Sequence, residues 1–102
     1  MQRIGIQNDL IEIGGHYGTA YYMNQLSEEC AELIQAVTKI NRLNNYGEYL
    51  DRRKELLENL YEEMGDVEIC IGILKNLYHC EEEVYASKMS KAKRQKERMK
   101  KE

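Results

Sequence analysis

The segment Gln25-Leu26-Ser27-Glu28-Glu29-Cys30-Ala31-Glu32-Leu33-Ile34-Gln35-Ala36-Val37-Thr38-Lys39-Ile40 decides the fold. Leu26, Cys30, Leu33, Val37 and Ile40 recur at spacings of three and four, which lines one side of an α-helix with apolar atoms. A second run repeats the pattern with Leu56, Leu60, Met64, Val67, Ile71, Leu74 and Tyr78. Nothing alternates with period two over a useful length, so strands are not expected. The chain has no proline, which leaves glycines and caps to end its helices. Breaks are expected at Gly14, Gly15 and Gly18, at Asn44-Asn45-Tyr46-Gly47, and at His79-Cys80 ahead of Glu81-Glu82-Glu83. These bound four helices: 2–13, 19–43, 50–78 and 82–99. The two long ones, joined by a short connection, should lie antiparallel. The expected fold is an all-α antiparallel helical bundle in a single domain, 1–102. A short helix opens it and a basic helix closes it.

Composition narrows the function. At 102 residues there is room for one core only. No apolar run approaches the ~20 residues of a membrane span, and no basic-then-apolar leader opens the sequence. A cytoplasmic protein is expected, without a membrane partner. Cys30, Cys70 and Cys80 are odd in number and form no C-x-x-C pair. They read as ordinary thiols in a reducing compartment, Cys30 and Cys70 packed as small apolar residues.

The net charge of -3 conceals an asymmetry. Residues 88–102 carry eight basic side chains against two acidic ones, a balance of +6 that leaves -9 on the first 87 residues. Three roles are open to this arm. Its cations can complement the helix dipole. It can face phosphates held over the acidic body by a metal. It can also bind nucleic acid, but the acidic body repels a duplex and no aromatics interleave the arm.

Two acidic clusters stand out: Glu28-Glu29-Cys30-Ala31-Glu32 and Glu62-Glu63-Met64-Gly65-Asp66. Spacing alone selects nothing in a chain with 15 glutamates, since Glu55 with Glu58 and Glu48 with Asp51 show the same intervals. Helical phase discriminates. With Leu26 and Leu60 as zero, Glu29 and Glu63 both fall at about 300°, and Glu32 and Asp66 both at about 240°. Each pair thus borders the apolar stripe on the same flank. Glu55 and Glu58 point to water at about 220° and 160°, as do Glu28 and Glu62 at about 200°. Glu48 and Asp51 fall at a loop and helix start, where acidic residues cap. Four carboxylates at a core margin repel one another, and a hard divalent cation relieves that repulsion. An all-oxygen ligand set favours magnesium over zinc. The bland alternative is that both pairs are rim charges matched to lysines.

The stretch Gln25–Ala36, with Lys39 and Arg42 after it, resembles the first motif of the MazG-like nucleotide pyrophosphohydrolases, of the all-α NTP pyrophosphatase superfamily. Asn59-Leu60-Tyr61-Glu62-Glu63-Met64-Gly65-Asp66-Val67 resembles their second motif, E-x-x-D, and the likeness extends over roughly residues 17–98. It implies magnesium ligands at Glu29, Glu32, Glu63 and Asp66, the four that phase selects. It also implies hydrolysis of a nucleoside triphosphate to monophosphate and pyrophosphate, with Glu29 as the candidate base. Lys88, Lys91, Arg94 and Arg98 fit the family's basic tail and are assigned to phosphate binding. The family's frequent asparagine is missing there, and Arg94 lies off the face the others share. Tyr22 and Gln25, on the carboxylate flank one to two turns before Glu29, are base-binding candidates by phase. A packed tyrosine and a solvated amide are the alternative for them. Gly65 and Gly72 suggest close approach of the last helix or of a second subunit. A homodimer or homotetramer is expected, as is usual in the family. Two non-catalytic readings compete: a helical interaction protein and a nucleotide-binding regulator.

Overall fold

A computed structural model describes residues 3–46 and 52–102. They form four helices and no strand: α1 (Arg3–Tyr17), α2 (Thr19–Tyr46), α3 (Arg53–Leu77) and α4 (Glu81–Lys101). The all-α bundle expected from the periodicity is present. Glu48 and Asp51 lie outside the described residues.

α2 and α3 form the central antiparallel pair, and α1 packs mainly on α3. The principal core cluster joins all three through Leu10, Tyr22, Cys70, Ile73 and Leu74, with Ile13, Leu26 and Leu77 packed against it. Ala36, Leu43 and Leu56 are buried as well. The covered stripe of α3 is narrower than the periodicity suggested. Cys70, Ile73 and Leu74 are buried, while Met64, Ile71 and Tyr78 stay exposed. α1 covers part of α3, and Ile69 and Ile71 beside it border a groove with Ile6 and Val84.

The first break differs from expectation. α1 runs through Gly14 and Gly15 to Tyr17, and only Gly18, at φ 86°, interrupts the helix. A helical glycine costs about 1 kcal/mol relative to alanine, too little to end a helix that packing supports. Gly14 is where that packing is closest. A Cβ built there would stand 2.9 Å from Cγ2 of Ile73, a side chain with no exposure. Gly72 serves the same interface from the other side, 2.8 Å from Leu10 Cδ1. The close approach at Gly72 is therefore to α1, not to the last helix or a second subunit, and Gly65 faces open space. Neighbouring glycines should consequently respond with opposite signs. Gly15→Ala, which meets nothing, is expected to stabilise the fold by about 0.5–1 kcal/mol. Gly14→Ala should cost about 1–3 kcal/mol through overpacking against Ile73. Thermal melts of the two variants check the pair.

His79, at φ 53°, closes α3 in the left-handed position: its N–H donates to the Asn76 carbonyl, and the Cys80 N–H to that of Lys75. α4 then starts with Glu81, Glu82 and Glu83 in its first turn, and Lys75 Nζ reaches Glu81 Oε1 at 3.2 Å. Beyond this joint α4 buries nothing and meets α3 alone. The radius of gyration is 17.1 Å, against about 13 Å for a compact chain of this length. Val84 is half-buried, but Tyr85, Met89 and Met99 are 55–61% exposed.

Candidate metal centre

Two i, i+3 pairs on antiparallel helices converge. Glu29 and Glu32 project from α2, Glu63 and Asp66 from α3, and one carboxylate oxygen from each lies within 4.8 Å of the other three. Reversed chain direction matches the pairs, since the α2 cluster and the α3 cluster flank their stripes at the same phase. The decoys separate as expected: Glu28, Glu55, Glu58 and Glu62 are all exposed.

Burial differs within the four. Glu29 and Glu63 are half-buried, whereas Glu32 and Asp66 open to solvent. Oε2 of Glu29 and Oε2 of Glu63 are each shut away from solvent without a hydrogen-bond partner. None of the four has an ion-pair partner among the described residues, so the lysine-matched rim alternative lacks its lysines. Partial burial pushes both half-buried carboxyls above their ordinary value of 4.5, and the neighbouring Glu32 charge raises them further. Asp66 acts on both in the same direction.

This donor set suits a hard divalent cation. It offers carboxylate oxygens only, and two of them have no protein donor to satisfy them. Such ions hold oxygens at about 2.0–2.6 Å, which places opposite ligands about 4–5 Å apart, and the four oxygens here all lie within 4.8 Å of one another. Cys70, buried behind the cluster, is held above the ordinary thiol range by burial and by the Glu29 and Asp66 charges. It fills space as the sequence suggested, with little thiolate character. Cys30 is half-buried beside it, and all three cysteines are free.

The remaining candidates are placed differently. Tyr22 is 8% exposed and belongs to the core cluster, so its ring packs instead of lining an open pocket. Gln25 is half-buried on α2, one turn before Glu29. Lys88, Lys91, Arg94 and Arg98 are exposed along α4, which does not pack on α2. Lys88 borders a groove with Ile6, Gly65, Ile69, Gly72 and Val84. Gly65 and Gly72, at about 140° and 120°, look away from Glu63 on α3. Within one chain the fold thus joins the four carboxylates and leaves the basic group elsewhere.

Sequence reasoning missed an aromatic corner. His16, Tyr17, Tyr21 and Tyr22 form a continuous ring cluster where α1 meets α2. Tyr17 ends α1 and Tyr21 lies in the first turn of α2, so the turn at Gly18 brings their rings together, which helical spacing alone does not foretell. No family model matches the chain, and no curated protein or solved structure shows significant similarity to it.

Proposed function

We propose that this chain is a magnesium-dependent nucleoside triphosphate pyrophosphohydrolase, producing a monophosphate and pyrophosphate. The observation that carries the reading is the convergence of Glu29, Glu32, Glu63 and Asp66 around two buried carboxylate oxygens that have no partner. Resemblance of the two motifs supplies the reaction class. Glu29, Glu32, Glu63 and Asp66 would hold the ion. A magnesium ion bound there supplies charge neutralisation for phosphate oxygens and a more acidic water.

The chain's own residues then have defined tasks. Glu29 accepts the proton of the water that attacks the α-phosphorus, and the bond to the bridging oxygen of pyrophosphate breaks. Exposed Lys88, Lys91, Arg94 and Arg98 bind phosphate charge. Because α4 stands apart from α2, those cations reach the carboxylates from a second copy of the chain. The extended shape of the chain and its exposed Ile34, Tyr61, Tyr85, Met89 and Met99 support a homodimer or homotetramer. No helix among the described residues is long and apolar enough to cross a membrane. A cytoplasmic location, where nucleoside triphosphates are abundant, completes the reading.

The test is a nucleotide panel with magnesium, scored for pyrophosphate against orthophosphate. Pyrophosphate and monophosphate, with turnover stopped by chelation, are the expected products. Orthophosphate with a diphosphate overturns attack at the α-phosphorus. The unpartnered basic and apolar surface of α4 favours a second reading, a non-enzymatic helical interaction protein. Binding of nucleotide without turnover points instead to a nucleotide-binding regulator.

A further inference from the structure

The aromatic corner is only half accounted for by packing. Tyr22 anchors it in the core, edge-on to Tyr17 at 6.3 Å and to Tyr21 at 5.0 Å. Tyr17 and Tyr21 stack on each other, centroids 4.6 Å apart and planes 23° from parallel, and His16 sits edge-to-face on Tyr17 at 4.6 Å. Yet the stacked pair is 53% and 43% exposed. Each ring spends one face on the other, so another flat ring can lie only on an outer face of the stack, against the exposed part of either tyrosine.

Their position relates them to the acidic site. On α2, Tyr21 falls at about 220°, at the water-facing edge of the carboxylate flank, and Gln25 at about 260°, between Glu32 at about 240° and Glu29 at about 300°. Tyr21, Gln25, Glu29 and Glu32 therefore follow one flank of a single helix. Eight residues separate Tyr21 from Glu29, about 12 Å along the axis. Tyr22, behind the stack, shares the core cluster with Cys70, and the Cys70 thiol in turn senses Glu29 and Asp66. A ligand lying along this flank meets aromatic rings, then an amide, then carboxylates. A nucleoside triphosphate presents a flat base, a polar sugar and anionic phosphates in that order.

We propose that the Tyr17–Tyr21 stack, edged by His16, is the platform for the nucleobase of the triphosphate whose phosphates sit at Glu29, Glu32, Glu63 and Asp66. The assignment rests on the proposed function and adds a ligand subsite to it. Stacking uses the π-face that every base has, so the platform provides affinity with little choice among bases. Gln25, half-buried between stack and carboxylates, is the polar group placed to contact the sugar or base edge. Tyr22 is a positioning residue that holds the two open rings from behind.

Binding of two probes in magnesium separates the platform from the phosphate site. One is an α,β-imido nucleoside triphosphate, which resists cleavage at the α–β bridge; the other is inorganic tripolyphosphate, which has no base. The chain has no tryptophan, so calorimetry and tyrosine fluorescence both serve as readouts. The wild type is expected to bind the nucleotide analogue about tenfold or more tighter than tripolyphosphate, the scale of one base–aromatic stack. Tyr17→Leu with Tyr21→Leu keeps apolar bulk and should erase that preference, leaving tripolyphosphate binding unchanged. Tyr17→Phe with Tyr21→Phe keeps both π-faces and should retain it. If the double leucine variant folds poorly, Tyr17→Leu alone, at the more exposed ring, reports the same loss. Equal binding of both probes by the wild type overturns the platform and leaves the metal and phosphate reading standing. A leucine variant that keeps the full preference does the same, making the rings a clasp between α1 and α2. Failure of both probes to bind with magnesium overturns the acidic-site reading itself, and the platform with it.

Discussion

Glu63→Gln and Asp66→Asn are each expected to abolish magnesium-dependent pyrophosphate release, while Glu55→Gln and Glu58→Gln leave it near the wild-type rate. Each of the first two substitutions removes one negative ligand oxygen and leaves side-chain volume unchanged. Even residues that only orient a metal ligand are worth ten- to a hundredfold, so loss of a ligand should cost at least about a hundredfold. The fold should survive, because Glu63 and Asp66 make no ion pair whose loss would strand a partner. Glu55 and Glu58 lie on the same helix with the same type of spacing, but in water. They control for any general effect of removing charge from α3. Helical circular dichroism and initial rates on one nucleotide settle the comparison. Comparable losses in both sets would mean that the geometry of the four-carboxylate cluster has nothing to do with activity.

The same contrast shows which features were legible in the sequence. The apolar recurrence at three and four runs through 26–40 and 56–78, so α2 and α3 were readable, together with the flank that each acidic pair occupies. Two clusters at matching phase on helices of opposite direction share a side once those helices pack, and the register of the pair brings them together. Burial within the cluster was less accessible. The covered stripe of α3 centres on Cys70 and Ile73 instead of Met64 and Ile71, and the half-buried Glu63 falls within its arc. That choice is made by α1, whose Leu10 and Gly14 lie against Gly72 and Ile73. A sequence shows which side of a helix is apolar, but not which part of that side a third helix covers. The same limit applies to α1 itself, since Gly14 reads as a breaker until its close neighbour Ile73 is known. α4 is the extreme case. Its basic character is plain in the sequence, yet it has too few contacts within the chain to fix where that charge goes.

The acidic centre should make the metal-free protein progressively less stable as pH rises through the mildly acidic range. Glu29 and Glu63 hold their protons more tightly in the folded chain than at the ordinary value of 4.5, through burial first and the Glu32 charge second. For an acid whose folded pKa is raised, folding is favoured while the proton is bound. That contribution is complete below pH about 4.5 and is lost as pH climbs through the raised folded values. Above them the full repulsion of four carboxylates opposes folding. Magnesium reverses the slope, because it binds the deprotonated groups and competes with those same protons. At a hundredfold excess over its dissociation constant it should stabilise the wild type by about 2.7 kcal/mol, if only the folded state binds it. In a domain of this size that corresponds to a rise in Tm on the order of 10 °C or more. Glu32→Gln removes the charge that acts on both buried carboxyls. It should therefore raise the metal-free Tm, flatten its decline with pH, and weaken the magnesium response. Sodium at equal ionic strength should do much less, since screening reaches partly buried charges poorly. Melts of both proteins from pH 4 to 8, with magnesium, with sodium and with neither, give three separate curves if the centre is a metal site. Coincident shifts with the two salts would reduce the four carboxylates to ordinary surface charge.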